Sequence, residues 1–109
     1  MNPAEAFETL DLRVGRILRV EANAKARKPS YKLWIDFGPL GEKTSNAQLT
    51  AHYAADELIG RLVVAAVNLG GRNVAGFLSE VLVLGVPDES GQTVILVVEQ
   101  EVPLGGRVY

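Results

Sequence analysis

Few residues of this 109-residue chain could do covalent or acid–base chemistry, and they do not assemble into a catalytic set. His52 is the single histidine and there is no cysteine, so neither a thiolate nucleophile nor a usual imidazole–thiolate metal site can be built. A lone histidine beside Thr50 and Tyr53 reads as a structural hydrogen-bonding group. Asp56 and Glu57 are consecutive, and on a helix they diverge instead of pairing for proton transfer. Gly70-Gly71-Arg72 lacks the Gly-Lys-Ser/Thr ending and the following helix that a phosphate-cradling P-loop needs. The expectation is a binding protein and not an enzyme, with no cofactor and no bound metal.

Binding chemistry is better supplied, from four separate stretches. The loop 25–32 is basic, with Lys25, Arg27, Lys28 and Lys32. Trp34 follows on the same side of an alternating strand as Lys32. The run Thr44-Ser45-Asn46-Ala47-Gln48 carries hydroxyls and amides where a strand is expected, and the glycine-rich stretch after Asn68 carries Arg72, Asn73, Phe77 and Ser79. Cations hold phosphates, amides read base edges and aromatic rings stack on bases, so together these groups suit single-stranded or looped nucleic acid. Each stretch has a plainer alternative. The cations could be solvated faces, the polar strand an edge kept polar against aggregation, and the glycine stretch a connector with Phe77 in the core. Only their convergence would decide.

The net charge of −2 argues mildly against a polyanionic partner, but its distribution does not. Seven of the eleven basic residues lie between Arg13 and Lys32, with only Glu21 opposing them there. From Val81 onward Asp88, Glu89, Glu99 and Glu101 stand against Arg107 alone. Such asymmetry matters more than the sum, because screening limits reach to a Debye length of roughly 8–10 Å.

The elements that must position these groups follow from periodicity. Asn2-Pro3-Ala4-Glu5 is a helix start, with Asn2 as cap and Pro3 at the first helical position; the helix runs to about Glu8. Residues 1–10 are too short to stand alone and must dock on the body or on a second copy. Asp11–Glu21 alternates, with Leu12, Val14, Leu18 and Val20 on one face and a phase fault at Gly15-Arg16 that suggests a bulge. Tyr31–Phe37 puts Leu33, Ile35 and Phe37 inward, and Gly38-Pro39-Leu40-Gly41 turns the chain. The polar strand pairs back, Ala54–Ile59 forms a short helix ended by Gly60, and Leu62–Val67 and Val81–Leu84 read as fully buried strands. Asn68–Ser79 is expected to be a long loop, Val94–Val98 a strand after a turn at Pro87–Gly91, and 102–109 a tail returning along the body.

One domain over 1–109 results: all-β, a five-stranded OB-fold barrel with a short helix between strands 3 and 4 and short terminal extensions. In such barrels strands 2 and 3 and the loops joining strands 1–2 and 4–5 form the binding face, where all four stretches fall. The N-terminus lacks the basic and apolar segments of a signal peptide, and no apolar run approaches the ~18 residues of a membrane span. The expected setting is cytoplasmic, without membrane insertion.

Asp11-Leu12-Arg13-Val14-Gly15-Arg16-Ile17 resembles the opening of the stand-alone tRNA-binding domain of some methionyl- and phenylalanyl-tRNA synthetases and EMAP-II-like proteins. Asn68-Leu69 with Gly76-Phe77-Leu78-Ser79 resembles that family's other signature. Tyr31-Lys32-Leu33, Ile35-Asp36-Phe37-Gly38, Ser45–Gln48 and Gly76–Gly85 look most like its chaperone-like CsaA branch. The resemblance implies an OB fold, a homodimer joined through the terminal segments, and tRNA binding by shape more than by sequence. It also implies binding of unfolded or precursor polypeptides, with a link to export machinery. By matched position it implies roles for Lys32, Asn68, Arg72 and Ser79. Where the family commonly has Ala-Asp and Gly-Met this chain has Ser30-Tyr31 and Glu80-Val81, and Glu80 adds a negative charge beside the expected RNA face.

Two readings follow. For RNA the candidate residues are Arg27, Lys28, Lys32, Ser45, Asn46, Gln48, Asn68, Arg72 and Ser79. For polypeptide they are Trp34, Phe77 and Leu78, in a groove accepting extended chains with little sequence demand.

Overall fold

The computed structural model describes residues 1–109. Helix α1 (Pro3–Thr9) precedes β1 (Leu12–Ala22), β2 (Tyr31–Asp36) and β3 (Glu42–Ala47), with a 3-10 turn at Gly38–Leu40 between the last two. Helix α2 (Ala55–Leu58) leads into β4 (Leu62–Ala66). The short strands β5 (Arg72–Val74), β6 (Phe77–Ser79), β7 (Leu82–Val83), β8 (Gly85–Pro87) and β9 (Thr93–Ile95) complete the chain. One antiparallel sheet runs in the order β3-β2-β1-β4-β7, and β5-β6 and β8-β9 form separate hairpins. The sheet curls until β3 meets the segment before β7, where the N–H groups of Glu80 and Val81 donate to Thr44 O at 2.8 and 3.1 Å. The result is a nearly closed OB-type barrel with α2 between its third and fourth strands, as expected.

Strand β1 serves two cores because both of its faces are covered. Ile17 and Val20 join Leu33, Ile35, Phe37, Leu49, Leu58 and Val63 inside the barrel. Leu12 and Val14 instead pack with Leu62, Val64, Val98, Leu104 and Val108 under the returning tail. Gly15 is what lets the strand pass so close to the barrel interior: a Cβ there would lie 2.6 Å from Ile35 Cγ2 and 2.7 Å from the Phe37 ring. The expected phase fault is real but misplaced. Register with β2 slips between Ile17 and Arg19, so Ile17 is buried and Leu18, expected inside, is 45% exposed.

The tail lies along β1, with Val14 N–H donating to Gly106 O and Val108 N–H to Leu12 O. Helix α1 starts as expected, Asn2 Oδ1 accepting from Glu5 N–H at 2.9 Å, but it buries no residue. It is held by its C-terminal end alone: Asn68 Nδ2 donates to Thr9 O, and Arg107 donates to Glu8 O at 2.7 Å.

Three other expectations are corrected. Asn68–Ser79 is not an open loop, since β5 and β6 pair through it with Arg72 opposite Ser79 and Val74 opposite Phe77. The two-residue turn between them is Ala75-Gly76, both at positive φ (52° and 87°). Alanine avoids that conformation, which is why the hairpin left no turn signal. The run Val81–Leu84 is not wholly buried either: Val81 is inside, but Leu82 lies on the edge strand β7 and is 52% exposed. Beyond Ile95 the run 94–98 leaves β9, with Val97 exposed.

Candidate nucleic-acid interface

The basic window of the sequence divides in three dimensions. Arg13 is paired with Asp11 at 2.7 Å, Arg16 with Glu101 at 2.6 Å and Arg19 with Glu21, while Arg107 approaches Asp11 at 3.6 Å. Lys25, Arg27 and Lys28 on the β1–β2 loop, Lys32 on β2 and Arg72 on β5 have no acidic partner within 4.0 Å. Lys43 and Arg61 are also unpaired, and like Lys32 they line no part of the cavity described next.

That cavity, of about 1000 Å³, lies open between the β1–β2 loop and the β5–β6 hairpin. Lys25, Arg27, Lys28 and Arg72 stand around it with Ser30, Asn46, Gln48 and Asn73, and no carboxylate lines it. A second cavity of about 390 Å³ adjoins it and shares Asn46 and Arg72. Lys32 stands directly opposite Asn46 in the β2–β3 ladder. The loop, the polar strand and the hairpin therefore meet on one wall, although Lys32 and Arg72 are 40 positions apart in the chain. Unpaired like charges around one opening create a positive potential that attracts and orients a polyanion.

Behind the cations lies an amide network with no signal in the sequence. Asn23 is only 5% exposed, and its Nδ2 donates to Asn46 Oδ1 at 2.9 Å and to Val74 O at 3.3 Å. The Ser30 hydroxyl, also buried, donates to the same Asn46 oxygen at 3.3 Å. Asn23 sits between alanines in a loop, so nothing local marks it.

Several expected site residues have their polar atoms committed to the fold. Ser45 is 1% exposed and donates to Val81 O at 2.8 Å. Ser79 Oγ accepts from the Asn46 backbone N–H at 2.9 Å. These hydroxyls, with the Glu80 and Val81 bonds to Thr44, seal β3 against the chain before β7. Glu80 Oε1 is likewise occupied by Thr44 N–H at 3.1 Å, so its charge is turned onto β3 and pairs with no cation. Asn68 uses Nδ2 on Thr9 O and Oδ1 on Asp11 N–H, tying α1 to the end of β4. Gln48 is exposed at the cavity rim.

The aromatic residues flank the cations. Trp34 and Phe77 meet edge to face at 5.4 Å between centroids. The Arg19 guanidinium lies 4.2 Å over the indole, and Lys32 Nζ lies 5.5 Å from the Phe77 centroid. Phe77 is half-buried, neither free nor sunk in the core, and Leu78 beside it is 52% exposed. Away from this wall, His52 Nε2 lies 2.6 Å from Asp88 Oδ2, the structural role expected of it. The Gln92 backbone N–H, then the His52 hydrogen bond, hold the Asp88 carboxyl below its ordinary value of 3.8.

The family model described as "Putative tRNA binding domain" matches residues 12–107. The crystal structure of the chaperone CsaA from Bacillus anthracis superposes with a TM-score of 0.93 at 47% identity, covering 100% of this chain and 99% of that one. The CsaA chaperone protein from Picrophilus torridus superposes with a TM-score of 0.92 at 40% identity, with 100% of both chains covered. A methionine–tRNA ligase from Porphyromonas gingivalis is 36% identical over 104 residues, which is 95% of this chain and 15% of the ligase. The chain thus spans about 15% of the length of the curated ligases it matches. No helix is long and apolar enough to cross a membrane.

Proposed function

The chain belongs to the tRNA-binding domain family, in its CsaA-like branch, and we propose that it is a chaperone-like binding protein. On this reading one wall of the barrel takes two kinds of extended polymer: unfolded or precursor polypeptide, and tRNA recognised by shape and charge. The family is one of binding domains and not of catalytic ones, in line with the absence of a catalytic set from the sequence.

The observation that carries the proposal is the separation of paired from unpaired cations. Lys25, Arg27, Lys28 and Arg72 face a common opening without acidic partners, with Lys32 beside it opposite Asn46, and such an array is favourable when phosphates neutralise it. Gln48 and Asn46 stand between them as hydrogen-bonding groups, and Trp34 and Phe77 offer rings beside them. For polypeptide the support is the edge-to-face pair of Trp34 and Phe77, both part-exposed, which makes a short apolar strip for side chains of an extended client, with Leu78 exposed on the opposite face of β6. Because Lys32 stands opposite Asn46 of the cavity wall and its Nζ lies 5.5 Å from the Phe77 centroid, strip and cavity adjoin, and the two ligands should exclude one another.

We further read the protein as a homodimer joined at the terminal end. Helix α1 buries nothing of its own, Phe7, Val97, Val102 and Tyr109 are exposed, and a largely apolar cavity of about 360 Å³ lies among Val14, Val98, Val102, Val108 and Tyr109. A cytoplasmic setting and a link to export machinery belong to the same reading. The test is a competition on the purified protein, with tRNA bound and a denatured polypeptide added. Displacement of tRNA, together with a dimeric mass by sedimentation, is the expected outcome. Failure of tRNA and polypeptide both to bind would dismiss the proposal, and simultaneous binding would dismiss the shared wall.

A further inference from the structure

We infer that Arg19 is a further phosphate-binding residue, carried on the Trp34 ring, and that Glu21 competes with RNA for it; this rests on the RNA-binding reading above. The arginines with acidic partners are Arg13, Arg16, Arg19 and Arg107. Three of them also donate to a main-chain carbonyl and so tie distant segments together: Arg13 to Gly105 O, Arg16 to Gly60 O and Arg107 to Glu8 O. Arg19 donates to no carbonyl. Its one hydrogen-bond partner is Glu21, two positions along the same strand, and both side chains are exposed, at 60% and 42%. Such a pair joins nothing that the backbone of β1 does not already join, and an exposed pair adds little to stability. The fold does not account for it.

Its place on the sheet does. Arg19 stands opposite Trp34 and Glu21 opposite Lys32 in the β1–β2 ladder, and Lys32 stands opposite Asn46 of the cavity wall. Neighbouring strands lie about 4.8 Å apart, so a polyanion leaving the cavity across β2 meets Lys32 first and the β1 pair next. Glu21 is the only acid in these rows. The Arg19 guanidinium rests over the indole, 4.2 Å from its centroid. Contact through the flat face leaves the N–H groups on its rim free to donate, and carboxylate and phosphate accept from that rim alike. In the free protein Glu21 occupies Nη2. A phosphate replaces that carboxylate while the guanidinium stays on the ring, and Glu21 turns to solvent. A free anion gains little by the exchange. A strand already held in the cavity brings its next phosphate at high effective concentration, so the pair favours a polymer over a small anion.

The experiment is a double-mutant cycle on tRNA affinity with the full chain: wild type, Arg19→Gln, Glu21→Gln and the two together, each checked by thermal melting. Melting should change little in any of them. Glu21→Gln should tighten tRNA binding about tenfold, the worth of one hydrogen bond to a charged group, and steepen the salt slope by up to roughly 0.7–0.9. Arg19→Gln should weaken binding by about the same factor. Adding Glu21→Gln to Arg19→Gln should then recover less than about threefold, because no guanidinium is released. An equal gain from Glu21→Gln with and without Arg19 would overturn the inference, since Glu21 would then act only as a background charge. No gain at all, with tRNA still bound by wild type, would overturn it as well. So would a gain for denatured polypeptide without one for tRNA. Absence of tRNA binding in all of these proteins would overturn the RNA reading and the inference with it.

Discussion

The cation-lined wall and the terminal seam, where α1 and the returning tail join the body, are built from the same residue types and use them in opposite ways. At the seam arginine is structural: Arg13 reaches Asp11 and Gly105 O, Arg16 reaches Gly60 O and Glu101, and Arg107 holds Glu8 O. At the wall Lys25, Arg27, Lys28 and Arg72 have no such partner, and the buried Asn23 behind them holds the Asn46 amide. The seam is apolar between its ion pairs, and the wall is polar between its cations. A run of basic residues in a sequence is therefore not a field. What matters is which charges find acids once the chain has folded, and here three arginines of the window did and the lysines did not.

The strongest way to break that contrast is to remove the charges on each side. Replacing Lys25, Arg27, Lys28 and Arg72 together by Gln should weaken tRNA binding at least about a hundredfold at physiological salt and lower the salt slope by about 3, at roughly 0.7–0.9 per phosphate contact. Arg16→Gln with Arg107→Gln should change tRNA affinity by less than about twofold. Equal losses in filter-binding titrations of the two variants would end the distinction.

Gly15 is where the two regions share a strand, so Gly15→Ala should damage both. Its methyl would meet Ile35 and Phe37 far inside contact distance, and about 1–3 kcal/mol of stability should be lost in urea unfolding. Asn68→Ala should act on the seam alone. Loss of its bonds to Thr9 and Asp11 should cost about 1–2 kcal/mol and speed hydrogen exchange through α1, with the amides of β3 and β5 unchanged. Exchange rising equally in both regions would contradict the assignment.

The smallest effect concerns a clamp outside both regions. Because folding lowers the Asp88 pKa, its contribution is present above the unfolded value of about 3.8 and is lost as pH falls through the lower folded value. Asp88→Asn should melt below wild type at neutral pH, and the gap should close as pH falls below about 3.8. A gap that persists unchanged at acid pH would show that the charge of Asp88 has no part in it.

Much of the frame was readable because it repeats locally. Alternation in Tyr31–Phe37 identified Leu33, Ile35 and Phe37 as buried, and Asn2-Pro3 marked the start of α1. The faces of β1 were misread because Gly15 occupies an inward position without a side chain to announce it, and because the bulge that shifts the phase falls at Leu18. The β5–β6 hairpin was hidden by an alanine in a left-handed turn. Of the residues expected to bind RNA, Arg27, Lys28, Asn46, Gln48 and Arg72 do come together around one cavity. The commitment of Ser45 to barrel closure was not legible, since its partner Val81 lies 36 positions away. Asn23 escaped for the same reason: its meaning comes entirely from Asn46 and Val74, which only the folded barrel brings to it.

The central claim is that RNA is met by the wall and not by the seam, and chemical-shift mapping of the protein with tRNA tests it directly. Perturbations should concentrate in residues 23–32, 44–48 and 72–79, including the side-chain amides of Asn23 and Asn46, with α1 and residues 98–109 little changed. Shifts confined to α1 and the tail, or none near Asn46 and Arg72 at saturating tRNA, would contradict it.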